Sequence, residues 1–292
     1  MRKILLRTHN HLGDIVILSG AAHHFRAAHP EYIFTNDSRY REVFQNSPDF
    51  DLGGGWEGKP VTVDYRLHGG NEHTGNHGSL VNGALWAICR GLGLPPPEID
   101  DSRCCYLPEP KASIPDEWRG VIVLNANCQE CSTVKLYPYW QRVVASLPQH
   151  RFALIGGTEA RDICAEVAGP SVLNLRGKTS YQQLFRLVKE ASLVVSPSSA
   201  VVHIASAYGV PCLCVSGASE PVALTRYPNV RHLWGECEGR RCRYDEHHGC
   251  RHFRAREDSC ERTLAIDGRT YARCIASLPS ERVSEAIAGM LL

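Results

Sequence analysis

The sequence predicts an α/β protein built from two Rossmann-like halves. Three observations carry that expectation. The first thirty-five residues read strand, helix, strand; a second alternating series starts at Val121; and a proline-marked stretch separates the two.

Lys3–Leu6 is a short apolar strand, and Thr8–Gly13 a polar loop. From Asp14 to Ala28 the apolar residues Ile15, Leu18, Ala22 and Phe25 recur at helical spacing, with Pro30 ending the helix. Tyr32–Thr35 is the second strand, so the opening is a βαβ unit and implies a parallel sheet. Leu94-Pro95-Pro96-Pro97 marks the approach to a linker. Ser113-Ile114-Pro115 sets the expected boundary, giving an N-terminal Rossmann-like half over residues 1–115 and a C-terminal one over 116–292.

In the second half, strands are expected at Val121–Leu124, Phe152–Ile155, Leu193–Val195 and Cys212–Val215. Helices are expected near Tyr139–Ser146, Ala160–Ala168, Tyr181–Glu190 and Val201–Tyr208. Two such halves facing a cleft form the GT-B architecture. A terminal amphipathic helix follows over Ser280–Leu292, with Ser280 as N-cap and Val283, Ile287 and Leu291 as its apolar stripe.

Composition narrows the partners. At 43% hydrophobic and 22% charged the chain is globular, and 32 Lys+Arg against 31 Asp+Glu give no electrostatic reason to expect nucleic acid. The basic run Arg240-Arg241-Cys242-Arg243 reads as a solvated loop. The apolar core of Met-Arg-Lys-Ile-Leu-Leu-Arg is too short for a signal peptide, and no run approaches the roughly 20 apolar residues of a membrane span. A soluble, cytoplasmic protein without a transmembrane segment is expected. Its thirteen cysteines are then reduced, and Cys212 and Cys214 act as small buried hydrophobes.

Two motifs mislead. Gly53-Gly54-Gly55-Trp56-Glu57-Gly58 fits G-x-G-x-x-G, but Lys59-Pro60 and a short strand, Val61–Tyr65, follow it where a helix is needed, so it is a surface turn. Gly177-Lys178-Thr179-Ser180 ends like a phosphate loop but has Val172 where the earlier glycine belongs.

The informative stretch is Leu193–Pro211. An apolar strand enters a small polar turn, Ser196–Ala200, and then an alanine-rich helix. Small residues at a helix N-terminus let backbone N–H groups approach a diphosphate, with the helix dipole assisting. His203, one turn further, reaches the same place as a donor.

Asn174–Ser180, Leu193–Pro211 and Gly217-Ala218-Ser219-Glu220-Pro221 resemble the donor-binding half of the glycosyltransferase family 9 heptosyltransferases. Leu12-Gly13-Asp14-Ile15-Val16 with Ala21–Pro30 resembles the family's opening. Ser132–Pro138 resembles its K-x-W-P segment, with Tyr137 in place of the tryptophan.

The resemblance implies a GT-B fold and inverting transfer of a heptose-like sugar from an ADP-sugar to a glycan or protein acceptor, in a bacterial, lipopolysaccharide-type setting. Contact with a membrane surface stays open. By the same resemblance Asp14 is the catalytic base and Lys135 the phosphate-binding lysine. Ser132 and Thr133 donate to the phosphates, and Glu159 bonds the donor ribose. Ser198, Ser199, Ala200 and His203 complete the donor site. Asp14 is equally at home in any first helical turn, Glu159 at any helix start, and Lys135 in any exposed loop.

The family's Asp-Ser/Thr-Gly is Ser198-Ser199-Ala200 here, so the carboxylate that contacts the donor sugar is a hydroxyl. A sugar-nucleotide epimerase and a weakened nucleotide-sugar-binding protein are the alternatives.

No cofactor is required for this chemistry. Segment 237–274 is rich in cysteine and histidine, with spacings unlike a zinc finger. Related protein heptosyltransferases hold iron through four cysteines, which makes Cys242, Cys250, Cys260 and Cys274 the expected ligands of a structural iron or zinc, with reduced free thiols as the alternative.

Overall fold

The computed structural model describes residues 1–8, 11–63, 79–95, 97–126, 135–157, 167–217, 222–236, 253–254, 259–260 and 262–292. The N-terminal half holds β1 (Arg2–Arg7), α1 (Leu12–Ala28), β2 (Tyr32–Thr35), β3 (Val61–Thr62) and α2 (Leu80–Gly91). Its three strands are parallel in the order β2-β1-β3, with Ile4 beside Phe34 and Leu6 beside Val61. The glycine-rich stretch at 53–58 is an exposed turn, tied back by the bond from Glu57 N–H to the Lys3 carbonyl at 2.7 Å.

The C-terminal half holds β4 (Ile122–Asn125), α3 (Trp140–Ala145), β5 (Phe152–Ile155), β6 (Val172–Asn174), α4 (Tyr181–Lys189), β7 (Leu193–Ser196), α5 (Ala200–Ala207), β8 (Cys212–Ser216) and β9 (Val230–Trp234). Its six strands are all parallel in the order β6-β5-β4-β7-β8-β9. Counted within the half, that is 3-2-1-4-5-6, the dinucleotide-binding order, whose direction reverses between β4 and β7.

Both faces of this sheet are buried, as parallel sheets require. Alternation assigns the faces: Ile122, Leu124, Phe152, Leu154, Val195 and Leu213 pack under α3 and the terminal helix. Val123, Ala153, Ile155, Val194, Cys212 and Cys214 face the other way. There they join one continuous apolar core with α4, α5 and the N-terminal half, including Ile15, Leu18 and Phe25 of α1. Cys212 and Cys214 are fully buried free thiols, as expected from their apolar strand.

Small residues permit the junction. A Cβ on Gly20 would come within 2.8 Å of the Cys105 Cα, so only glycine lets the connecting stretch cross α1 here. The same stretch bonds the other half, since Cys105 N–H donates to Ser206 Oγ at 3.3 Å and Tyr208 O–H to the Pro108 carbonyl at 3.0 Å.

Several expectations are corrected. Helix α1 begins at Leu12, so Gly13 lies inside its first turn rather than in a loop. The terminal helix α7 spans Ser280–Leu291 after a short α6 (Arg273–Ala276), and its N-cap is Pro279 rather than Ser280. Pro279 is extended at ψ 146° and its carbonyl accepts from Val283 N–H, so the chain turns helical one residue earlier than expected. Strand β3 ends at Thr62; Val63 continues it only through a bond to the Arg7 carbonyl, and Tyr65 lies outside the described residues. The expected helix Ala160–Ala168 and the basic run at 240–243 also fall outside them, the helix save for its last two residues. Helix α2 and strands β6 and β9 had no counterpart in the sequence reading.

Candidate active site at the sheet switch point

In open α/β sheets a ligand binds beyond the carboxyl ends of the strands where their order reverses. Here that point lies between Asn125, ending β4, and Ser196, ending β7. A polar cluster fills it. Asn125 Nδ2 donates to Ser199 Oγ at 2.9 Å and to Ser196 Oγ at 3.2 Å, and the two serine hydroxyls are 2.8 Å apart. Ser196, Asn125 and the neighbouring Ser198 are all buried.

This cluster changes what the start of α5 can do. Ser199 is the N-cap, in extended conformation, yet its side chain makes no capping bond because Asn125 and Ser196 hold it. The Ser199 side chain therefore does not close off the first-turn N–H groups of α5, which stand at the switch point with the positive end of the helix dipole.

His203 follows one turn later and is 6% exposed. Burial, with the Lys135 charge nearby, lowers its pKa to about 3, so the imidazole is neutral at physiological pH. The Lys135 charge acts on His203 from the end of the stretch after β4. Just beyond it Tyr137 is buried, edge-on to Trp140 at 4.8 Å, with its hydroxyl donating to the Leu278 carbonyl at 3.1 Å. An aromatic body with a polar tip thus anchors the Lys135 turn to the base of the terminal helix. Burial pushes the Tyr137 phenol pKa above its usual range.

The N-terminal half closes the other side. A Cβ on Gly13 would sit 3.2 Å from His203 Cδ2 and 3.5 Å from the Ala200 Cα, so the first turn of α1 rests against the first turn of α5. Asp14 is the next residue and is buried at 4% exposure.

Of the residues expected at the site, Asp14, Lys135, Ser198, Ser199, Ala200 and His203 belong to this one region. Ser132, Thr133 and Glu159 lie outside the described residues, as do Cys242 and Cys250. Cys260 is half-buried and Cys274 buried on α6, both against the outer core. Among the described residues no three His, Cys, Asp or Glu side chains come together as metal ligands, and two thiols alone do not make a metal site.

Asn125, Tyr227 and Cys105 were not singled out from the sequence. Asn125 carried a signal, a polar residue closing an otherwise apolar strand at a switch point. The others lie far apart in the chain and meet only through the junction of the halves.

Gly177-Lys178-Thr179-Ser180 serves another purpose. Ser180 Oγ accepts from Gln183 N–H at 3.2 Å and Gln183 Oε1 accepts from Ser180 N–H at 3.0 Å, a closed capping box at the start of α4. Lys178 Nζ turns back to the Asn174 carbonyl at 2.8 Å.

Comparison with known proteins agrees with this geometry. Residues 106–250 match the family model for glycosyltransferase family 9 (heptosyltransferase). No curated protein matches the chain in sequence. Among solved structures, Escherichia coli ADP-heptose LPS heptosyltransferase II aligns at TM-score 0.58 and 12% identity over 100% of this chain and 98% of that one. The iron-containing dodecameric glycosyltransferase TibC of enterotoxigenic E. coli aligns at 0.68 and 17%, covering 99% and 76%. E. coli heptosyltransferase WaaC, solved with ADP-2-deoxy-2-fluoro heptose, aligns at 0.61 and 12%, covering 99% of each chain. Identities this low establish a shared fold. No helix among the described residues is long and apolar enough to cross a membrane. Residues 106–250 thus carry the likeness to glycosyltransferase family 9, and the chain is a glycosyltransferase with two Rossmann-like halves in the GT-B arrangement.

Proposed function

We propose that the chain moves a heptose-like sugar from an ADP-sugar to a hydroxyl of a bacterial glycan or protein acceptor, with inversion at the anomeric carbon. One observation carries this reading: the uncapped start of α5 at the switch point, with His203 and the Lys135 charge beside it and the Asp14 turn packed opposite.

The diphosphate of the donor lies on the α5 N–H groups, His203 and Lys135, with Ser132 and Thr133 as further donors and Glu159 on the ribose. The Asp14 carboxylate accepts the proton of the acceptor hydroxyl as its oxygen attacks the anomeric carbon. The bond from that carbon to the diphosphate breaks, and ADP leaves with the electron pair. Charge building on the diphosphate is met by donors already in place, which is where such a site gains most of its rate.

No step needs a metal. A structural iron or zinc on Cys242, Cys250, Cys260 and Cys274 would act as a staple for the tail, and two of those four thiols flank the outer core. We assign the acceptor side to residues 1–115 and the donor side to 116–292, and place the enzyme in the cytoplasm.

Ser198 sets donor choice in this reading. A hydroxyl offers the sugar one uncharged partner where a carboxylate offers two strong acceptors. Ser198→Asp should therefore increase use of ADP-heptose relative to other nucleotide sugars.

The test is a panel of labelled ADP-sugars incubated with a lipopolysaccharide-core or protein acceptor preparation. Release of ADP with label in the acceptor supports the transferase. Sugar altered while still attached to the nucleotide, without acceptor, would establish the epimerase instead. Binding of ADP without turnover on any acceptor would leave a binding protein.

A further inference from the structure

We propose that Tyr227, itself held by Cys105, is a positioning residue that fixes His203 in the tautomer with its proton on Nε2. The inference rests on the reading that His203 donates to the donor diphosphate, and it adds the residues that make that donation possible.

Tyr227 is buried on the stretch before β9, its oxygen 2.8 Å from His203 Nδ1 with the rings edge to face at 5.7 Å. Cys105 Sγ lies 3.3 Å from the same oxygen. Burial raises the Cys105 pKa to about 12, so the sulfur keeps its hydrogen and donates it to the phenol oxygen. A neutral His203 that donates from Nε2 needs a donor at Nδ1, and the phenol 2.8 Å away is placed to be that donor. A neutral imidazole has one N–H and one lone pair. With Nδ1 accepting from the phenol, the imidazole proton stands on Nε2.

The direction of that proton matters. Nε2 adjoins Cδ2, the ring atom that the first turn of α1 approaches at Gly13. The reverse tautomer would turn a lone pair toward the phosphates. The relay starts on the stretch joining the two halves, where Cys105 is clamped between Gly20 of α1 and Ser206 of α5.

The experiment is long-range 1H–15N NMR of histidine-labelled protein at pH 7, with His203→Gln to assign the ring, alongside ADP titration by calorimetry. Wild type is expected to show a pyrrole-type Nε2 and an accepting Nδ1. Tyr227→Phe should redistribute the tautomers and weaken ADP roughly 3- to 10-fold, the scale of one hydrogen bond, while Cys105→Ala, which spares the phenol, should weaken it less. A wild-type ring protonated on Nδ1, measured without nucleotide, overturns the proposal. So does a Tyr227→Phe protein with unchanged ring shifts and ADP affinity. Failure of the underlying reading looks different: wild type would not bind ADP, or Lys135→Ala would bind it equally well.

Discussion

Two helices of the C-terminal half begin with serine after a short polar turn, and their ends are treated in opposite ways. At α4, Ser180 and Gln183 satisfy each other's backbone in a capping box. At α5, Ser199 is drawn away to Asn125 and Ser196, leaving the helix start without a side-chain cap. A cap contributes about 1 kcal/mol of stability, so leaving one unmade at a buried switch point suggests another occupant for those N–H groups. The end that looks like a phosphate loop in sequence is the one closed for structure, and the end without such a motif is the one left open.

The largest effect expected from this contrast is catalytic. The first turn of α1, which carries Asp14, rests against the start of α5, so Asp14→Asn should cut turnover by roughly two to four decades while ADP affinity stays near wild type. Steady-state kinetics with calorimetry check both halves of that statement.

Next comes the donor set itself. Proline is tolerated at the first position of a helix, where only its N–H is lost, and extended Ser199 and Ser180 both accept a following proline. Ala200→Pro should weaken ADP by roughly 2 kcal/mol, the scale of a hydrogen bond to a charged group. Tyr181→Pro, the same change at α4, should leave ADP affinity unaltered. Equal losses at both helices would remove the distinction.

The neutral imidazole gives a pH signature. His203 titrates near 3 in the folded protein against 6.5 ordinarily, so below pH 6.5 the unfolded chain takes up a proton the folded one refuses. Stability should fall as pH drops from about 6.5 toward 3, with about 2 kcal/mol lost at pH 5 from this residue. Urea unfolding of wild type and His203→Gln at pH 5 and 7.5 measures the difference, and the variant should lack that component.

The smallest effect lies at the closed end. Ser180→Ala should cost about 1 kcal/mol of stability and leave nucleotide binding as it was, read by urea unfolding and calorimetry.

Much of the fold was legible because apolar runs and helix breakers punctuate the chain clearly. Phe152–Ile155 and Tyr32–Thr35 match the expected strands residue for residue. Strand β9 escaped notice because Arg231 and His232 interrupt its apolar character, as an edge position of the sheet allows. Helix α2 escaped because Asn82 and Gly83 weaken its local propensity, which tertiary burial of Leu80, Val81, Leu85 and Ile88 overrides.

At the candidate site, the resemblance to family 9 marked Asp14, Lys135 and His203. The residues that orient them did not stand out. Cys105 and Tyr227 are separated by more than a hundred residues and become partners only where the connecting stretch crosses between α1 and α5. Local patterns reveal which groups can act, while the groups that hold them depend on how the two halves pack.

The most direct test is a crystal structure of the protein with ADP. The account predicts the diphosphate on the N–H groups at the start of α5, within hydrogen-bond reach of His203 and Lys135 and facing the first turn of α1. A diphosphate bound at the start of α4, or at the glycine-rich turn of residues 53–58, would contradict it.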